Sequence, residues 1–306
     1  MNSTVEAGGR SRLTAILLMC GALACFACLD TCAKWLNQSI DPLQTVWLRY
    51  VFALALVTIV LNPITTPGLH RTKKPGLQAF RSLLLFLSTA FNFLALRELQ
   101  LAEAMALNFA TPFVVALLAG PMLGEWIGPR RLIAIAVGFL GVLLVARPGF
   151  DGLPAAAWWA VGGVIAYALY QIVTRSLAAH DSSQTTMFYS GFAGVVILTP
   201  LLPFIDVRQL TMNGWAIAVM MGVFGSFGHW LLILAHRRAP ASILSPFMYT
   251  QIVWMIALGF LVFGDAPDRY TLIGSCIVIA SGLYLLYRER VRGVDLSEPE
   301  AKGTSL

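Results

Sequence analysis

Few side chains in this 306-residue chain are suited to chemistry, and those few sit at helical spacings inside apolar stretches. Asp30 and Lys34 are four residues apart, on one helical face, and Arg49 follows after a short polar turn centred near Ser39–Ile40. At 1.5 Å per residue, Asp30 and Arg49 each lie roughly 14 Å from that turn. On antiparallel neighbours they would stand at the same depth, so an Asp30–Arg49 ion pair is expected, with Lys34 competing for the carboxylate. Such a pair is either a gate that responds to substrate or a proton, or a static bridge that satisfies Arg49. Glu103, at the same end of a later apolar stretch, joins this one-sided set of charges.

The uncharged groups suited to lining a substrate cavity are Asn92, Asn108, Gln171, Gln251 and His229. With them goes an aromatic set of Tyr167, Tyr170, Trp230, Tyr249 and Trp254, which suits stacking on a flat ligand. Pro112 lacks an N–H, so it leaves a backbone carbonyl open to a substrate or a water. Each of these also has a packing explanation. Asparagines in apolar surroundings hydrogen-bond neighbouring helices, a lone histidine settles into packing, and aromatic residues fill cores. Gly222, Gly225 and Gly228 form GxxGxxG, but no strand precedes them. They read as close helix approach rather than a phosphate loop. The chain shows no ordered nucleophile and base, no nucleotide loop and no metal-ligand spacing, so catalytic residues, cofactors and metals are not expected. All five cysteines lie in apolar runs and read as packing residues.

The elements that must position these groups follow from composition. The chain is 58% hydrophobic and 12% charged, with a mean hydropathy of +0.75. A soluble domain carries about 25% charge, so a cytosolic enzyme is excluded and an integral membrane protein remains. The net charge of +6 is spread between apolar runs, which suits the anionic leaflet and excludes nucleic acid. A bilayer core of about 30 Å needs roughly 20 apolar residues per helix. That length predicts spans at 13–36, 43–61, 79–96, 101–123, 131–147, 155–177, 185–205, 214–235, 242–263 and 270–287. Fifteen lysines and arginines, Arg81 among them, then fall on the N-terminal side. Six, namely Lys34, Arg49, Arg97, Arg147, Arg208 and Arg269, fall elsewhere. The bias puts both termini in the cytoplasm.

A shift of 141 residues lays the first five spans on the second five: Lys34 meets Arg175, Arg147 meets Arg288, and Gly141 meets Gly282. Gly124-Glu125 meets Gly264-Asp265 with one residue of slippage, and both acids read as span-end markers. An odd repeat must be inverted, an arrangement that in secondary transporters surrounds a site near the bilayer midplane. The expected fold is all-α, with ten transmembrane helices as two inverted five-helix repeats. Residues 1–12 form a cytoplasmic tail, 13–147 and 148–290 the repeats, and 291–306 a second cytoplasmic tail.

Four short segments carry a family likeness: Trp47-Leu48-Arg49-Tyr50, Thr111-Pro112, Leu123-Gly124-Glu125 and Phe263-Gly264-Asp265. Over residues 13–290 the chain resembles the drug/metabolite transporter superfamily in its EamA branch. The resemblance implies a carrier of a small organic metabolite in a bacterial inner membrane, with the substrate and the lipid bilayer as partners and a homodimer as one compatible assembly. Phe247-Met248-Tyr249-Thr250-Gln251-Ile252-Val253-Trp254 is similar to riboflavin importers of that branch, so riboflavin uptake is the first expectation. An amino-acid exporter is the alternative, with Asp30, Lys34 and Arg49 meeting the substrate's two charges. An intramembrane enzyme or a scaffold is the third.

Overall fold

The computed structural model describes residues 2–61, 71–123, 129–146, 155–177, 180–238 and 244–291, which form helices joined by short turns with no strand among them. Glu125, Arg147 and the C-terminal tail beyond residue 291 lie outside the described residues. The elements are α1 (Asn2–Leu36), α2 (Pro42–Leu61), α3 (Pro75–Leu96), α4 (Leu101–Asn108), α5 (Thr111–Leu123) and α6 (Pro129–Ala146). Then come α7 (Ala155–Leu177), α8 (Ser183–Ser190), α9 (Phe192–Leu198), a 3-10 segment (Thr199–Phe204) and α10 (Met212–Arg238). A second 3-10 segment (Ser245–Thr250), α11 (Gln251–Leu258), a π segment (Gly259–Phe263) and α12 (Arg269–Val291) follow.

Six helical stretches are long and apolar enough to cross a bilayer: Leu13–Leu36, Pro42–Val60, Pro75–Leu96, Ala155–Thr174, Gln184–Phe204 and Met212–Leu232. Shorter apolar stretches occupy Leu101–Val115, Leu132–Val145, Phe247–Phe263 and Arg269–Tyr284. The outer surface is apolar, with Ile59, Val60, Phe204 and Leu261 among its exposed side chains. Lipid rather than water is the medium that tolerates such a surface.

Two expected spans are broken and a third is closed, each for a local reason. Between α4 and α5, Pro112 cannot donate to the Asn108 carbonyl, and Thr111 Oγ1 donates to that oxygen instead, at 2.7 Å. The carbonyl expected to be open to a ligand is therefore satisfied, and Pro112 itself is exposed. Gly191 separates α8 from α9. The π segment ends on Gly264, whose φ of 73° is the left-handed conformation that favours glycine.

Helix pairing repeats itself across the two halves. α1 packs on α10 as α3 packs on α7, and α2 meets α10 as α3 meets α8 and α9. α1 meets α11 as α7 meets α4 and α5, while α6 packs on α12. The glycines set how closely these helices approach. A Cβ at Gly222 would lie 2.5 Å from Phe52 Cβ, one at Gly225 2.9 Å from Leu29, and one at Gly228 2.8 Å from Phe26. The GxxGxxG of α10 is thus the surface on which α1 and α2 pack. Gly141 and Gly274 approach each other in the same way where α6 crosses α12.

Candidate functional site

A cavity of about 310 Å³ lies between α2, α3, α7, α8 and α10. Its lining runs from Asp181, in the loop before α8, to Arg49, Tyr50 and Met221 midway along α2 and α10. None of its lining residues comes from the turns at 37–41, 97–100 or 264–268.

Arg81 is the central polar group. It is the seventh residue of α3, beyond the reach of the helix end, and 4% exposed. Its Nε donates to Thr174 Oγ1 at 2.8 Å. Its Nη1 donates to Ser190 Oγ at 2.9 Å and the Thr186 carbonyl at 3.1 Å, and its Nη2 donates to Tyr170 Oη at 2.6 Å. The guanidinium also sits 4.6 Å from the centre of the Tyr170 ring. One side chain of the first half is thus held by α7 and α8 of the second. Arg49 reaches across to α3, donating to Thr89 Oγ1 at 3.2 Å, with its guanidinium 5.0 Å from the Tyr50 ring. Tyr50 Oη lies 3.1 Å from the same Thr89 hydroxyl.

Of the residues expected to line a cavity, Tyr170 and His229 do so, His229 meeting Phe26 edge-on at 4.9 Å. Tyr167 stacks on Tyr170 with ring centres 5.6 Å apart but does not line the cavity. Trp230 and Trp254 point outward, 53% and 43% exposed, where an amphipathic ring has lipid to meet. Tyr249 is buried against Phe109 and Gly282. Gln171 and Gln251 are half-buried outside the lining. Asn92 and Asn108 form a chain instead: Asn108 donates to Asn92 Oδ1 at 3.1 Å, and Asn92 donates to Asp30 Oδ1 at 3.2 Å. That chain ties α1, α3 and α4 together.

The expected ion pair takes a different form. Asp30 turns to Asn92 on α3 and Arg49 to Thr89 on α3, so the two do not meet in an ion pair. They stay within electrostatic reach of each other. Lys34 does not compete for Asp30. Its Nζ pairs with Asp265 Oδ2 at 2.9 Å, donates to the Leu99 carbonyl at 2.9 Å and lies 5.1 Å from the Phe263 ring. The left-handed Gly264 turns the chain so that Asp265 reaches Lys34. Asp265, expected as a span-end marker, is a bonding partner. Glu103 is the third residue of α4 and closes a capping box there, accepting from the Gln100 N–H at 3.0 Å.

Sequence reasoning missed Arg81, Thr174, Thr186, Ser190, Ser226 and Asp181. A signal for the first was present, because Gln78, Arg81, Ser82, Thr89 and Asn92 form a polar stripe at spacings of three, four and seven on one helix. Asp181 lines the cavity from the loop before α8. It accepts from Thr72 Oγ1 at 2.5 Å, the Lys73 N–H at 2.9 Å and Gln78 Nε2 at 2.9 Å. Burial raises its pKa, but these three hydrogen bonds and nearby His180 outweigh that, so its carboxyl sits below the ordinary range.

Helical stretches apolar enough to cross a bilayer, with a cavity between them bordered by two arginines, are an arrangement suited to a membrane transporter. The chain belongs to the EamA-like transporter family, whose model matches residues 13–147 and again 154–288. It is similar to the riboflavin transporter of Rhizobium johnstonii, at 26% identity over 95% of this chain and 97% of that one. The riboflavin transporter of Vibrio cholerae is 25% identical over 89% of this chain and 93% of its own. The S-adenosylmethionine uptake transporter of Rickettsia felis is 25% identical over 85% and 88%. A solved crystal structure shares the fold with a TM-score of 0.63, at 14% identity over 91% of this chain and 98% of its own.

Proposed function

We propose that this transporter is a secondary carrier of a small organic metabolite in the bacterial inner membrane, working by alternating access between two inverted five-helix halves. The observation that carries this is the cavity, walled by α2 and α3 of one half and by α7, α8 and α10 of the other. It reaches the face bearing Asp181, while Lys34 and Asp265 tie the opposite face together. Two further features support the inverted repeat. Helix pairing has the same pattern in both halves, and the two family matches begin at residues 13 and 154, the shift that relates Lys34 to Arg175. With both termini cytoplasmic, as the lysine and arginine bias favours, Asp181 faces the cytoplasm and this conformation is inward-open.

Riboflavin uptake is the first substrate assignment, supported by the relatives named for it and by the Tyr50 and Tyr170 rings at the cavity. The second reading is a metabolite with a carboxylate, such as an amino acid or S-adenosylmethionine, favoured by the two arginines. Expression in a riboflavin auxotroph at low external riboflavin tests the first: growth above the empty-vector control is expected. No growth from a strain with confirmed membrane expression overturns riboflavin uptake. Proteoliposome uptake of labelled S-adenosylmethionine and amino acids then tests the second.

A further inference from the structure

The charges around the cavity do not balance locally. All four Arg81 hydrogen bonds end on neutral oxygens, although the side chain is almost fully buried. Arg49 donates to the neutral Thr89 hydroxyl, and its Nε is buried without a partner. The hydroxyl of Ser226, buried on α10 and lining the same cavity, also has no partner. Two carboxylates lie near. Asp30 is held by Asn92 and does not line the cavity, and Asp181, in its lining, is held by Thr72, Lys73 and Gln78. Among the described residues, neither carboxylate forms an ion pair with either guanidinium.

A buried cation without an opposite charge in contact is costly, and the cost falls when an anion arrives. A guanidinium matches the planar pair of oxygens of a carboxylate. An oxyanion among Arg49, Arg81 and Ser226 would give acceptors to the two groups that lack them. Resting on the carrier reading and not on riboflavin in particular, we infer that the cavity takes the anionic head of its substrate, a carboxylate. Arg49 and Arg81 supply the charge and Ser226 a further donor, while the Tyr50 and Tyr170 rings border the less polar remainder.

The test uses sodium benzoate and benzamide, which share a ring and differ in the charge of the head. Thermal unfolding of the purified full-length transporter in detergent is followed with each, at equal ionic strength balanced by sodium chloride. Benzoate is expected to raise the Tm with an apparent affinity at least about tenfold above that of benzamide. Arg49→Gln and Arg81→Gln should each weaken benzoate at least about tenfold, and the milder Ser226→Ala several-fold. The outward-facing Trp230→Phe should leave benzoate binding unchanged. Equal effects of the two compounds, no benzoate effect, or arginine variants that keep it would overturn the inference. Riboflavin carries no carboxylate, so transport of riboflavin through this cavity, whether or not the arginine substitutions impair it, would also overturn the inference while leaving the carrier reading intact. Benzoate binding that follows the arginines, in a protein that moves no metabolite, would uphold the anion site and reject the carrier reading.

Discussion

Lys34 and Asp265 join three turns on one face of the transporter: the end of α1, the approach to α4 through the Leu99 carbonyl, and the turn after the π segment. The perturbation is a cycle of Lys34→Met, Asp265→Asn and the double variant. At 2.9 Å and an effective dielectric of about 20, the bare attraction is about 6 kcal/mol. Desolvation offsets most of it. The side chains are 12% and 26% exposed, which places the pair between exposed pairs at about 0.2–1 kcal/mol and breakage of fully buried ones at about 3–5 kcal/mol. A net coupling of about 1–2 kcal/mol follows. If the tie exists only when this face is closed, its loss raises the population open on this face by about tenfold, since about 1.4 kcal/mol is a factor of ten. Denaturant unfolding of the four proteins gives the coupling. Hydrogen exchange at 37–41, 97–100 and 264–268 reports the opening, which should quicken in either single variant. Additivity within about 0.5 kcal/mol, together with unchanged exchange at those turns, would refute the reasoning.

Arg81→Lys keeps the charge but loses the planar fork that reaches Thr174, Ser190 and Tyr170 together. It should cost about 1–3 kcal/mol in unfolding experiments, and an unchanged midpoint would show that those bonds add nothing. Gly222→Ala puts a methyl against Phe52 and should cost about 1–3 kcal/mol. Gly76→Ala, where a Cβ has nothing within 4 Å, is the control and should not destabilise. Asp181 has a lowered pKa, so its stabilising contribution is present above the ordinary carboxylate value and is lost as pH falls through the lowered one. Thermal midpoints of the wild type should therefore drop below about pH 4 more steeply than those of Asp181→Asn, and parallel curves would count against the three bonds at Asp181.

Depth along a helix was legible in the sequence; direction around it was not. Hydropathy and length located the apolar stretches, of which six have the length a bilayer requires and four are shorter. The spacing of Gly222, Gly225 and Gly228 foretold a packing surface because small residues at helical spacing let neighbouring helices approach closely. Asp30 and Arg49 were placed at matching depth, yet a shared depth leads to contact only if the two helices turn those faces to each other. α1 and α2 instead pack mainly against α10, and both polar groups turn to α3, where Asn92 and Thr89 receive them. The same blindness to direction hid Arg81. A sum of charges by side counts it as one more cation near a helix start. Yet it lies seven residues into α3 on a polar stripe that begins at Gln78, too deep to be a surface charge. The charge tally that orients a membrane protein thus treats a buried, cavity-lining cation and an anchor alike, and only the helical period along α3 separates them.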